Sequence, residues 1–128
     1  MTDKVVDASA VVAVLFNEVT REAVVARLRG SALYAPALLE FEVANACLKK
    51  IRAAPGERRL LLEAFALLKE LSIVLEAVDL AEAITLAERT NLSLYDASYL
   101  WLARALDAEL VTLDDKLGRA QDALAAPN

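Results

Sequence analysis

The chain contains no histidine and a single cysteine, Cys47. These absences exclude much of enzyme chemistry. Ser-His-Asp and Cys-His catalysis need an imidazole base, and a His/Cys zinc site needs those same side chains, so none can be built within this chain. A lone cysteine forms no internal disulfide. Cys47 lies in an apolar helical pattern and reads as a small core residue, which suits a reducing compartment. Long hydrophobic runs are also missing. The longest, such as Ala8–Phe16, fall well short of the ~20 residues that span a bilayer. No basic, apolar leader is visible, so the expectation is a cytoplasmic protein with no membrane partner. Positive charge is in deficit as well: 14 Lys and Arg face 19 Asp and Glu, a net charge of −5. That argues against a generally basic nucleic-acid binder but leaves room for a local basic groove. Any catalysis must rest on carboxylates, hydroxyls, amines or a metal held by oxygen, and oxygen-rich sites prefer Mg2+ or Mn2+.

What is present points to a single folded domain, 1–128. A chain of 128 residues can bury one real core, and a hydrophobic content of 58% excludes disorder. Lys4–Asp7 reads as a buried strand that runs directly into an apolar helix, Ala8–Phe16. A second helix spans Thr20–Arg29 and is closed by Gly30. Ala32–Ala35 is a short strand ended by Pro36. A long helix, Ala37–Arg52, follows, then a break at Ala54-Pro55-Gly56 and a helix over Glu57–Leu71. Ile73–Leu75 reads as a strand and Asp79–Thr90 as a helix capped by Asp79. The stretch from Asn91 reads as a turn, a helix capped by Ser93, a buried strand at Glu109–Thr112 and an acidic turn. The tail, Lys116–Asn128, is expected to be frayed or lightly docked. Strands alternating with helices predict an α/β fold, with a small parallel sheet between helical layers.

Several acids occupy positions that such a sheet can bring together. Ligands in open α/β sheets sit beyond the carboxyl ends of the strands. Asp7 follows the first strand, and Asp114 follows the last. Asp96 lies in the first turn of the preceding helix. On the long helix, Glu42 shares a polar stripe with Asn45, Lys49 and Arg52, while Glu40 falls on the opposite side. Each acid also has a plain structural explanation: Asp7 can cap a helix, Ser93-x-x-Asp96 resembles a capping box, and Glu42 can belong to a solvated helix face. Close carboxylates, however, raise one another's pKa, and a divalent ion removes that cost. The long helix is apolar over too much of its surface for one sheet contact, which implies a second helix or a second subunit against it.

VVDASAVVAVLF at 5–16, YAPALLEFEVANACLKK at 34–50 and LSLYDASYLWLARALDAELVTLDDKL at 92–117 together resemble the PIN-domain family. Within it they are similar to VapC-type toxin ribonucleases of type II toxin–antitoxin pairs. The resemblance implies a PIN-like three-layer α/β/α fold. It implies that Asp7, Glu42, Asp96 and Asp114 hold Mg2+ or Mn2+, with Ser9, Asn45 and Thr112 as supporting polar residues. It further implies an RNA substrate, a VapB-like antitoxin partner and a homodimer. Asp115 could assist or replace Asp114. Lys49 and Arg52, with Arg58 or Arg59 as further positions, are candidates for RNA phosphate contacts. The chemistry expected is attack on a phosphodiester by a metal-activated water, which needs no histidine.

Other acidic-pocket families fit less well. A phospho-accepting receiver domain wants paired acids after the first strand and an acceptor after a middle strand; here Asp7 stands alone, and no acceptor follows Ala32–Ala35. A haloacid-dehalogenase-like phosphatase wants Asp-x-Asp, and the +2 position here is Ser9. The non-enzymatic alternative is a PIN-fold dimerisation or antitoxin-binding module whose acids serve only as caps.

Overall fold

The computed structural model describes residues 2–125. Four strands form one parallel sheet: β1 (Thr2–Val6), β2 (Ser31–Pro36), β3 (Val74–Glu76) and β4 (Glu109–Val111), in the order β3-β2-β1-β4. Seven α-helices surround it: α1 (Ala8–Leu15), α2 (Arg21–Leu28), α3 (Leu38–Ala53), α4 (Arg58–Ala66), α5 (Leu80–Thr90), α6 (Leu94–Ala105) and α7 (Asp115–Ala125). Short 3-10 turns at Pro55–Glu57 and Leu67–Leu71 flank α4. The three-layer α/β/α arrangement expected from the sequence is present.

Central β1 explains the hydrophobic opening of the chain. Its successive residues Val5 and Val6 are both fully buried, as a strand covered by helices on both faces requires. Val5 pairs with Tyr34 of β2 on one side and Leu110 of β4 on the other. The chain winds outward from β1 through β2 to β3, then crosses back to place β4 on the far side of β1. Winding therefore reverses between β1 and β4. In open α/β sheets the crevice at the carboxyl ends of two such strands is where ligands bind.

Most element boundaries lie close to expectation, and the departures have local causes. The first strand begins at Thr2 and ends at Val6, because Asp7 is the N-cap of α1 and not a strand residue. The last strand stops at Val111, where the Thr112 hydroxyl turns to Asp7 and to the backbone N–H of Asp114. The helix expected over Glu57–Leu71 is α4 followed by a 3-10 turn that ends at left-handed Ser72 (φ 53°).

The tail departs further from expectation. Far from lightly docked, α7 buries Leu117 completely. The Gln121 side chain accepts from the Leu110 N–H at 2.6 Å and donates to the Leu110 carbonyl at 3.0 Å. It thus does for the open edge of β4 what a further strand would do. The expectation also covered Ala126–Asn128, which lie outside the described residues.

In α3, Leu39, Val43 and Cys47 face the core at a spacing of four residues. The buried Cys47 thiol points at the Leu61 carbonyl of α4, 3.6 Å away, so α4 is the second partner over that part of α3. Phe41 remains 82% exposed. No helix among the described residues is long and apolar enough to cross a membrane.

Candidate active site

Asp7 is the most buried of the candidate acids, with only 5% of its surface exposed. Its position follows from β1 running straight into α1 without a turn. The carboxylate caps α1 by accepting from the Ala10 N–H at 3.1 Å. Ser9 Oγ donates to the same Oδ1 at 2.7 Å, and Thr112 Oγ1 donates to Oδ2 at 2.5 Å. Both hydroxyls also serve the end of β4. Ser9 Oγ accepts from the Leu113 N–H at 2.9 Å, and Thr112 Oγ1 accepts from the Asp114 N–H at 3.0 Å. The two strand ends at the winding reversal are therefore laced together through Asp7.

Asp114 opens α7. It is exposed, and its Oδ1 accepts from the Leu117 N–H at 2.8 Å. Asp96 sits in the first turn of α6, where its N–H donates to Ser93 Oγ at 3.1 Å. Its half-buried carboxylate makes no return bond to the Ser93 N–H, so only one half of the capping box is formed and the carboxylate is left free for another partner. Glu42 enters from α3, also half-buried. Its Oε1 accepts a hydrogen bond of 2.6 Å from the hydroxyl of Tyr99 on α6. Tyr99 was missed by sequence reasoning. The one available signal was its spacing of three residues from Asp96, which places both on one face of α6.

These acids sense one another. Burial raises the Asp7 carboxyl above its ordinary pKa, against hydrogen bonds from Thr112, Ser9 and the Ala10 N–H that lower it, and the charge of Asp114 raises it further. Burial likewise raises Glu42, opposed by the Tyr99 bond and reinforced by Asp96 and Asp7. Burial raises Asp96, as do Asp114 and Asp7, while Lys116 opposes the shift. The Lys116 ammonium, which donates to the Asn91 carbonyl at 2.7 Å, is the cation that acts on Asp96 in this way.

A stability prediction follows. Each folded carboxyl holds its proton at a pH where the unfolded chain has already released it. The folded state then binds more protons, and stability falls as pH rises from the ordinary carboxylate range through the raised values. In EDTA, the thermal midpoint is expected to drop as pH rises above the ordinary carboxylate range, less steeply in Asp7→Asn than in the parent. Equal slopes in the two proteins would mean that Asp7 is not a source of the effect.

The donor set suits a hard divalent cation. Every candidate ligand is a carboxylate oxygen, and each raised carboxyl would be eased by a nearby positive charge. As placed, however, no three such side chains among the described residues stand close enough together to hold an ion. Mutual repulsion acts to hold like charges apart, and a cation would act in the opposite sense.

The remaining candidates lie around this group. Asn45, Lys49 and Arg52 are exposed on α3, on the side that carries Glu42. Asp115 is exposed in the first turn of α7 and is not among the charges that raise Asp7, Glu42 or Asp96. Arg58 and Arg59 are exposed at the start of α4, with Arg59 paired to Glu63 at 3.1 Å.

The PIN domain family matches residues 4–123. The chain belongs to the PIN-domain family. Among curated PIN-domain relatives, VapC ribonuclease Mb0985 of Mycobacterium bovis is 37% identical over 91% of this chain and 92% of its own length. Ribonuclease VapC9 of Mycobacterium tuberculosis shares the same 37% identity and coverage. Ribonuclease VapC3 of that organism is 34% identical over 91% of this chain and 85% of its own. These relatives mark the domain as a PIN domain of the VapC type. The solved structure of PAE2754 from Pyrobaculum aerophilum superposes with a TM-score of 0.67 at 26% identity, covering 96% of this chain and 93% of that one.

Proposed function

We propose that this chain is a single PIN-like domain, 1–128, acting as a Mg2+- or Mn2+-dependent endoribonuclease. It would be the toxin of a type II toxin–antitoxin pair, cytoplasmic, homodimeric and restrained by a VapB-like antitoxin. The observation that carries the reading is the buried Asp7 carboxylate at the β1–β4 winding reversal, raised by Asp114 and in turn raising Glu42 and Asp96. Acids that repel one another around a strand-end crevice are useful when a cation and a phosphodiester arrive together. Relatives named as ribonucleases at 37% identity support the same reaction.

In this reading Asp7, Glu42, Asp96 and Asp114 hold the ion, with Asp115 a neighbouring acid outside the group. When bound, a divalent ion supplies activation of a water and neutralisation of charge on the scissile phosphate. The chain supplies the rest. Ser9 and Thr112 fix both oxygens of Asp7, Asn45 offers an amide beside Glu42, and Lys49 and Arg52 contact flanking phosphates. Thr112→Val deletes a hydroxyl that serves Asp7 and the Asp114 N–H together. It is expected to cost about 1–2 kcal/mol of stability and to lower cleavage about 10–100-fold, with Thr112→Ser restoring most of both.

One observation favours the alternative of a non-catalytic dimerisation or antitoxin-binding module: Asp7 and Asp114 do cap α1 and α7. The deciding experiment incubates antitoxin-free protein with a panel of structured RNAs in Mg2+, Mn2+ or EDTA, beside Asp7→Asn. Calorimetric titration of Mn2+ into the same samples accompanies it. Metal-dependent cutting lost in the variant supports the ribonuclease. Absence of both cutting and metal binding would leave the acids as caps.

A further inference from the structure

Tyr99 is 1% exposed, the largest fully buried side chain of the domain, yet its hydroxyl leaves the core to meet Glu42 at 2.6 Å. A phenylalanine would fill the same volume without a polar atom to satisfy. The phenol is the only direct hydrogen-bond donor to the Glu42 carboxylate among the described residues, and the bond joins α6 to α3 across 57 positions of sequence. Unlike those of Asp7 and Asp114, the Glu42 carboxylate holds no backbone N–H and depends on the phenol alone among the described residues. Asp7 and Asp114 each hold a helix N–H, and Asp96 sits in the first turn of α6, where its own N–H is fixed by Ser93. Glutamate also has one more rotatable bond than aspartate, so it loses more freedom when held in place.

We propose that Tyr99 is a positioning residue for Glu42, holding its carboxylate toward the other acids so that the group can take up a divalent cation. The inference rests on the metal-dependent reading given above. The bond occupies Oε1 and restricts rotation of the carboxylate, leaving Oε2 for an ion. A tyrosine hydroxyl keeps its proton at neutral pH, so it can act as the donor to this carboxylate. Partners that orient a metal-binding carboxylate in this way typically govern metal affinity 10–100-fold.

The test is Mn2+ binding to the intact chain, read by calorimetry, for the parent, Tyr99→Phe, Glu42→Gln and the double variant, with Asp7→Asn as control. Tyr99→Phe is expected to weaken Mn2+ affinity about 10–100-fold in the parent background and to change it little in the Glu42→Gln background. Parent-like affinity in Tyr99→Phe, with binding still lost in Asp7→Asn, would overturn the role of Tyr99 and leave the metal site standing. An equal loss in both backgrounds would also overturn it, since Tyr99 would then act through general packing. No Mn2+ binding by the parent would overturn the metal site and this inference with it. A second readout needs no change at position 99. Mg2+ should shift the near-ultraviolet tyrosine absorption of the parent and leave that of Glu42→Gln unmoved; a shift of equal size in both counts against the coupling.

Discussion

Asp7→Asn is expected to leave the fold standing and to reduce RNA cleavage about 10³-fold, on the order of 4 kcal/mol of transition-state stabilisation. The two halves of this expectation come from different properties of one side chain. Asparagine is as good a helix N-cap as aspartate, and its carbonyl can still accept from the Ala10 N–H. Its amide can donate to a hydroxyl of Ser9 or Thr112, each of which can reverse its donor sense. The variant also loses a charge that burial disfavours, so its thermal midpoint at neutral pH should equal or exceed that of the parent in EDTA. What it lacks is a full negative charge at the winding reversal. Asp7→Ala separates the roles, because it strands the Ala10 N–H and both hydroxyls and should lose about 2 kcal/mol of stability as well. Unfolding midpoints and single-turnover cleavage of one RNA by all three proteins decide the matter. Full activity in Asp7→Asn would take Asp7 out of the mechanism.

Asp7 was legible in the sequence because its placement is local. A buried strand that runs without a turn into an apolar helix leaves only one residue to bridge them. The Ser93 cap was legible for the same reason, and Glu42 stood out because a helical stripe is set by spacing alone. Asp114 was the acid chosen by the resemblance, and Asp115 stayed open as its assistant or replacement, since adjacent residues share most local signals. They are told apart by where β4 ends: Asp114 caps α7 and acts on Asp7 and Asp96, while Asp115 faces outward as the helix begins. The bond of Tyr99 to Glu42 and that of Gln121 to the edge of β4 were invisible for a further reason. Each is made between segments whose juxtaposition exists only once the sheet has formed, and nothing in the composition of either segment marks its partner. The tail looked weak for this reason, although it closes an edge of the sheet.

Removing divalent metal with EDTA is expected to abolish cleavage, and restoring Mn2+ to raise the unfolding temperature. Both effects should vanish in Asp7→Asn. The common cause is the electrostatic position of the acids. Without a cation, Asp7, Glu42 and Asp96 carry raised pKa values from burial and mutual repulsion, and no three acids among the described residues are gathered closely enough to bind an ion. A cation that binds only the folded arrangement stabilises it by mass action, by about 2.7 kcal/mol at a hundredfold excess over the dissociation constant. For a domain of this size that corresponds to a rise on the order of 10 °C. The cost of drawing the carboxylates together is already contained in that dissociation constant, so it weakens the affinity and not the rise at a given excess. A large rise in the parent and none in Asp7→Asn would assign the stabilisation to this site and not to ions condensed on a surface of net negative charge. Unchanged cleavage in EDTA would separate the carboxylates from the chemistry and leave them with the work that Asp7 and Asp114 already do, holding the first turns of α1 and α7.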